Sequence, residues 1–429
     1  MALVKLKADA TAARLVGLAL PAGAPWAMAA RRAALGRLTA MGLPGRRDEY
    51  WRYTDPATLN APLAPTAALF AVDGAPAFDS IDRLRIVFVD GVFAPALSDP
   101  LAETGLEVER LATVVAKDIH WARDLHGVLE ARGQSPVERP FAAMNTAFAA
   151  DGLVIRAVAT PARPVCLIYL HDNPASDVAL HHLIRIEAGV SLTLLESGPG
   201  AARLNTVTEV DIVAGARFHH IRAQGSDPER RAVTHLFARL GAAAQFKSFT
   251  LTMNGRLTRN ECVIDMTGDG ASAHVAGAAL GDGDQFHHDD TVFITHDAVG
   301  CESRQVFKKV LRNGAVGVFQ GKILVKPGAQ KTDGYQISQA LLLDDDSVFL
   351  AKPELEIYAD DVACSHGSTS GAIDEVALFY LRSRGVPLAQ AKDLLVLAFV
   401  AQALDEIADP RLAEDLRAQL EDWLARHHH

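Results

Sequence analysis

DIVAGARFHH, Asp211 to His220, decides the fold. Two short β-type runs meet at Gly215-Ala216, and apolar residues alternate along the incoming run at Val210, Ile212 and Ala214. The arrangement returns in RIEAGVSLTLLE at Gly189-Val190, FARLGAAAQFKSF at Gly241-Ala242, IDMTGDGASAHV at Gly270-Ala271 and KKVLRNGAVGVFQ at Gly314-Ala315. From Gly189 onward these glycines are 26, 26, 29 and 44 residues apart. The first three gaps suit one structural repeat, and the last leaves room for an extra excursion. A strand–turn–strand unit this short cannot bury its inner face alone. Stacking the units, each paired with the next, solves that and gives a parallel β-helix. Glycine suits the tight corner between strands. A β-sandwich would show less constant spacing and more hairpin dipeptides. The expected fold class is mainly β: a parallel β-helix core over 151–370, a helical and mixed N-terminal region over 1–150, and a C-terminal helical domain over 371–426.

The flanks read differently. Trp26 to Met41 carries apolar residues among Arg31, Arg32 and Arg37, as a helix lying on a core does, and Gly42, Pro44 and Gly45 end it. RRDEYWRYTD follows, with Trp51 and Tyr53 as aromatic anchors for docking this arm onto the body. Residues 55–77, rich in Pro and Ala, read as a connector. LRIVFVDGVF, Leu84 to Phe93, reads as a hairpin whose Asp90-Gly91 suits a type I′ turn. Helix-like FAAMNTAF leads to Asp151-Gly152 and a strand, LVIRAV. At the other end Asp374 to Arg384 reads as a helix stopped by Gly385. Pro387 opens a second helix with an expected buried stripe of Leu388, Ala391, Leu394, Leu395, Ala398 and Phe399. Asp409-Pro410 starts a third, with Leu412, Leu416, Leu420, Trp423 and Leu424 along one side.

Composition narrows the function classes. With 49% hydrophobic and 22% charged residues, the 429-residue chain has enough apolar material for a sizeable core. Its formal net charge of −10 argues against a nucleic-acid binder or an anionic-membrane binder. No run of 18 apolar residues is present, so no membrane span is expected, and MALVKLKADATAARL lacks the apolar core of a signal peptide. The cysteines, Cys166, Cys262, Cys301 and Cys364, form no C-x-x-C and read as reduced thiols of a cytoplasmic protein. His427–His429 read as a tag remnant and are set aside.

Candidate chemistry concentrates in YADDVACSHGSTSG, Tyr358 to Gly371. Cys364 and His366 stand two apart in a strand-like run, so their side chains share a face. A thiolate beside an imidazole suits iron, zinc or an iron–sulfur cluster. The spacing equally allows a buried cysteine and a hydrogen-bonded histidine. FHHDDTVFITHD offers His287, His288, Asp289, Asp290 and His296, either as metal ligands or as a polar loop or outer strand face. GVFQGKI, Gly317 to Ile323, imitates a phosphate loop but fails on spacing and lacks the hydroxyl residue that holds magnesium. In AQKTDGYQ, Gln330, Thr332 and Gln336 are read as satisfying strand ends and turns, and Asp344 to Asp346 as a solvated turn. No dinucleotide fingerprint, H-E-x-x-H or nucleophile elbow is present, so no ATP hydrolysis by this chain is expected.

ELEIYADDVACSHGSTSG followed by LFYLRSRGV, together with FQGKILVKPGAQKTDGYQISQALLL upstream, resembles the SufB/SufD family of iron–sulfur cluster assembly proteins. These runs cover most of Phe319 to Val386, and EYWRYT and FAAMNTAF extend the resemblance to the N-terminal part. Length and the small number of cysteines are nearer to the SufD branch than to the SufB branch. The resemblance implies a right-handed β-helix and a non-enzymatic scaffold subunit. Its implied partners are a SufB-like paralogue and a SufC-like ABC ATPase, which would burn the ATP and contact the C-terminal helices. Cys364 and His366 would then face the paralogue at a transient iron–sulfur cluster, with a reduced flavin also implied in the complex. The family has a histidine near the position of His296. One Cys and one His cannot complete a cluster's coordination, so a partner strand paired edge to edge is expected to bring the rest. Two other readings stand beside this one: a β-helix carbohydrate-active enzyme of the polysaccharide lyase or hydrolase type, and a homodimer of the isolated chain using the same edge.

Overall fold

The computed structural model describes residues 2–69, 76–198, 200–225 and 227–426. Part of the expected connector and the tag remnant lie outside them. Among the described residues the strands form two sheets, of ten and nine strands, and from Leu153–Ala157 onward successive strands alternate between them. Arg203–Ile212 pairs in parallel with Asp177–Ile186 on one side and Arg231–Leu240 on the other, without a register slip. Each coil is therefore two strands, and the parallel β-helix expected from the corners is what the chain forms.

Side chains stack in columns along the lumen. Ile184, Val210, Ala238, Ile264, Ile294, Ile323 and Leu355 are successive register partners in the nine-stranded sheet. Leu192, Phe218, Phe246, Ala273, Ser303, Gly334 and Cys364 are successive partners in the ten-stranded one. Rungs about 4.8 Å apart put these side chains in contact down the axis, and burying them is what holds coil to coil.

The corners stack too, in a register different from the expected one. Gly189, Gly215, Ala243, Gly270, Gly300 and Lys331 all have positive φ, between 52° and 71°. Each donates its amide to the corner of the next coil: Gly215 to Ala242 O at 2.8 Å, Ala243 to Asp269 O at 2.8 Å, Gly270 to Val299 O at 2.9 Å. Gly241 lies in the same corner but two residues early, and its amide continues the strand ladder to Ile212 O. The left-handed seat in that coil is taken by Ala243. Gly314 belongs to the opposite row of corners, beside Gly283. The 44-residue gap is thus no excursion, since Gly300 and Lys331 keep the period.

Both outer faces are covered over most of the length. Pro25–Met41, Leu111–Val114, Val128–Arg132 and Pro140–Phe148 pack on the nine-stranded sheet, where Ala27, Leu111, Leu129 and Ala142 meet Val154, Leu183, Val207 and Phe237. Gly42, at φ 67°, ends the first of these helices by donating to Leu38 O. Leu388–Leu404 and Pro410–Arg426 cover the ten-stranded sheet, packing on Ile221, Phe249, Leu251, Ala276 and Val306. Strands buried on both faces explain the near-continuous apolar runs. The stripe of the last helix is as expected, but that of Leu388–Leu404 is not: Ala391, Val396, Val400, Ala403 and Leu404 are buried, while Leu388 and Leu394 are exposed. This helix is apolar almost all round, so periodicity could not choose its face. The sheet chose it.

The Leu84–Val89 strand turns at Asp90-Gly91 into Val92–Phe93, with both turn residues at positive φ as a type I′ hairpin requires. It also pairs in parallel with Val165–Leu170, so the ten-stranded sheet begins inside the region assigned to the N-terminal part. In the arm, Tyr50, Trp51 and Thr54 are buried and Tyr53 only half-buried, so Tyr50 replaces Tyr53 as the second anchor. The Arg259 guanidinium lies 4.2 Å over the Trp51 ring and donates to Tyr50 O. Thr54 donates to Asp289, and Glu49 and Tyr50 reach Lys352 and Glu354 on the last strand of the nine-stranded sheet.

Candidate functional site

The solenoid ends in two strands, Val348–Ile357 and Val362–Gly371, each with a ladder neighbour on one side only. Cys364 closes the column that runs Phe246, Ala273, Ser303, Gly334. It is half-buried beside Ile323 and Leu355, and burial pushes its thiol above the ordinary range. His366, on the same face two residues on, is exposed. The structure thus brings the two expected donors together at an open end. Cys166 and Cys262 are the opposite case, since burial drives both thiols up to about 12. Among the described residues no group of three His, Cys, Asp or Glu side chains could hold a metal ion. A soft-donor pair of this kind fits a cluster only if another chain supplies the remaining ligands.

The two free edges differ. The amide of Asp333 donates to Cys301 O and that of Glu302 to Ala271 O, each at 3.0 Å. Asp333 is the register partner of Ala363, so the amides of Ala363, Ser365 and Gly367 turn inward. By alternation those of Cys364, His366 and Ser368 turn outward. On the other edge the amides of Val348 and Tyr358 turn inward, to Ala315 O and Val325 O, which puts Pro353 at an outward position. Proline there, with Lys352, Glu354 and Glu356 around it, blunts that edge. The Val362–Gly371 edge carries Ser, Thr, Gly, Cys and His, with neither proline nor formal charge, and is open to another strand.

The other polar stretches resolve into structure. His288, Asp290 and His296 face the lumen and are buried, so the polar-loop and outer-face readings of His287–His296 fail for them. His288 Nδ1 lies 2.8 Å from Lys309 Nζ, which also donates to Asp290, and His296 Nε2 lies 2.8 Å from Ser303 Oγ. His287 and Asp289 lie under the arm, against Thr54. Gly317 and Gly321 make no phosphate loop. A Cβ at Gly317 would meet Lys309 Cδ at 2.8 Å and one at Gly321 would meet Gln336 Nε2 at 2.5 Å, so each glycine makes room for a lumen side chain. Gln330 and Thr332 do satisfy a corner, through Pro327 O, the Asp361 amide and Ala329 O. Gln336 does not: it is fully buried and neither end of its amide has a partner.

Sequence reasoning also missed a hydrogen-bonded chain inside the lumen. Glu196 meets His220, Arg222 and Tyr169; Arg222 donates to Thr234, and Thr234 to Asn260. Asn260 then reaches His288 and Asp290. Burial would raise the Glu196 carboxyl, but Arg222 and His220 outweigh it and hold the carboxyl far below the usual range. Aligning the coils at their true period would have placed Glu196, His220 and Arg222 on the ten-stranded sheet and Thr234, Asn260 and Asp290 on the nine-stranded one, facing each other across the lumen.

Exposed apolar side chains gather on the C-terminal helices. Val376, Phe379 and Tyr380 project from Glu375–Ser383, and Leu388 and Leu394 from the helix that follows. Asp405 is exposed, whereas Glu406 turns inward to His274. No helix among the described residues is long and apolar enough to cross a membrane.

Comparisons with known proteins converge on one family. The family model described as SUF system FeS cluster assembly, SufBD core domain, matches residues 169–399, more than half of the chain. The chain is similar to the iron–sulfur cluster assembly protein SufD of Escherichia coli (strain K12), with 28% identity over 403 residues that cover 90% of both chains. It is 27% identical to an iron–sulfur cluster assembly SufBD family protein of Synechocystis sp. over 412 residues, covering 90% of this chain and 89% of that one. Against SufD of Bacillus subtilis (strain 168) the identity is 28% over 253 residues, 57% of each. The chain belongs to the SufB/SufD family of iron–sulfur cluster assembly proteins and is similar to its SufD members.

Proposed function

We propose that this chain is a non-enzymatic, cytoplasmic scaffold subunit in which a nascent iron–sulfur cluster is the cargo. Its open Val362–Gly371 edge pairs with a SufB-like paralogue, and its C-terminal helices receive a SufC-like ABC ATPase. One observation carries the reading: the soft-donor pair Cys364 and His366 stands on one face of the unblunted edge strand. Two donors are too few for a cluster, and the edge that bears them is the one able to accept another strand. The apolar side chains on Glu375–Ser383, a helix that packs on Leu388–Leu404, supply a surface for the ATPase.

The test is Cys364→Ala, His366→Ala and the double variant, each co-purified with both partners, with iron and acid-labile sulfide measured per complex. Neither side chain buries much area, so folding and complex assembly should persist while cluster content falls. Unchanged cluster content in the double variant would leave the two residues as interface packing and overturn the reading.

A further inference from the structure

The end of the solenoid holds an unexplained polar column. Val275, Gln305, Gln336 and His366 are successive register partners in the ten-stranded sheet. Val275 is apolar and closes the column on the inside. Gln305 and Gln336 are both fully buried, and in each the amide nitrogen and the amide oxygen lack a hydrogen-bond partner. A buried polar group left unpaired is costly, so two adjacent amides in that state call for partners. Room has been made for one of them, because Gly321 stands across the lumen where any side chain would strike the Gln336 amide.

The occupant can be read from the register. In-register neighbours on parallel strands lie about 4.8 Å apart with side chains on the same face. One pair further along these two strands, Ser338 and Ser368, does meet, with hydroxyls 2.7 Å apart. His366 is the next residue above Gln336 and the exposed end of the column. A histidine that binds a metal through one ring nitrogen has its other N–H held by a neighbouring acceptor, which fixes tautomer and orientation.

Resting on the function proposed above, we infer that Gln336 is the positioning residue of His366. Its amide oxygen accepts from one ring N–H of His366, leaving the second ring nitrogen free as a ligand toward the paralogue. Its amide nitrogen donates to Gln305, so both buried amides gain partners in one chain, Gln305–Gln336–His366.

The test compares Gln336→Met, which keeps volume and removes the acceptor, with Gln336→Glu, which keeps the acceptor. Ring-15N-labelled histidine is recorded at pH 8 in the isolated chain and in the complex with both partners, and the His366 signals are identified by their loss in His366→Ala. In wild type the ring should populate one tautomer. Gln336→Met should give the tautomer mixture of a solvent-exposed imidazole, and Gln336→Glu should keep the wild-type pattern. Iron and sulfide on the complex should fall roughly tenfold in Gln336→Met, the loss typical of an outer-shell partner, and recover in Gln336→Glu. The melting temperature of Gln336→Met should fall only modestly, because the hydrogen bonds to His366 and Gln305 are lost while the buried volume is kept. A wild-type tautomer pattern in Gln336→Met overturns the inference, as does cluster loss in His366→Ala with none in Gln336→Met. If His366→Ala itself leaves the cluster unchanged, the site reading fails instead, and the tautomer pattern alone decides the Gln336 contact.

Discussion

Ser368→Pro should separate pairing with the paralogue from folding of the chain. Ser368 is exposed, its amide faces the free edge, and the chain's own ladder does not use that amide. Proline there leaves every inward bond of the strand in place. The cost to the isolated chain is the hydroxyl contact with Ser338, 2.7 Å, worth about 1 kcal/mol. The cost to a paired complex is larger. A partner carbonyl loses its donor at a site being desolvated, about 1–3 kcal/mol, and the ring stands where the amide hydrogen was, pushing the partner strand away. On the hydrogen bond alone, Kd for the paralogue should rise by about 5- to 150-fold. Ser365→Pro is the control: its amide faces inward, so it should lower the denaturation midpoint of the isolated chain, which Ser368→Pro barely moves. Calorimetric titration with the purified paralogue gives Kd, and urea unfolding gives stability. A Kd within twofold of wild type for a folded Ser368→Pro would show that this edge is not where the paralogue adds its strand.

Phe379→Glu should weaken ATPase capture at least tenfold without shifting the melting temperature, since Phe379 is 73% exposed; equal capture in a pull-down would place the contact elsewhere. A point variant is the right probe here, because deleting the C-terminal helices would bare the apolar face they cover. Acid should act first through buried histidines. Burial lowers His182, His235 and His296 to about 4 each, below an ordinary value of about 6.5. Their contribution to stability is therefore complete above pH ~6.5 and is lost as the pH falls toward 4, about 3 kcal/mol for each group. Glu261 follows: burial alone would raise it, but Arg259 and Arg139 hold it at about 2, so its share is lost between pH ~4.5 and 2. Urea midpoints at pH 7.5, 6 and 5 should fall in that order, and a midpoint flat from 7.5 to 5 would contradict the burial argument.

The parallel β-helix was legible because its cause is local and repeated. A two-strand coil needs a tight corner every 26 to 31 residues, and Gly189, Gly215, Gly270 and Gly300 mark it in the chain. Corner register was not legible, because Ala243 and Lys331 take the same left-handed seat without being glycine and Gly241 stands nearby in ordinary backbone. Only the amide-to-carbonyl stacking of neighbouring coils tells the two apart. Cys364 and His366 could be placed on one face, since strand alternation is a two-residue rule, and the last helix could be phased, since its polar face is distinct. The phase of Leu388–Leu404 depends on which side the ten-stranded sheet lies, and a helix apolar all round holds no record of that. The column Gln305, Gln336, His366 is likewise a product of tertiary structure. Its members lie 31 and 30 residues apart and become neighbours only when the coils stack. Burial of the two glutamine amides is a property of the closed lumen and of no segment taken alone.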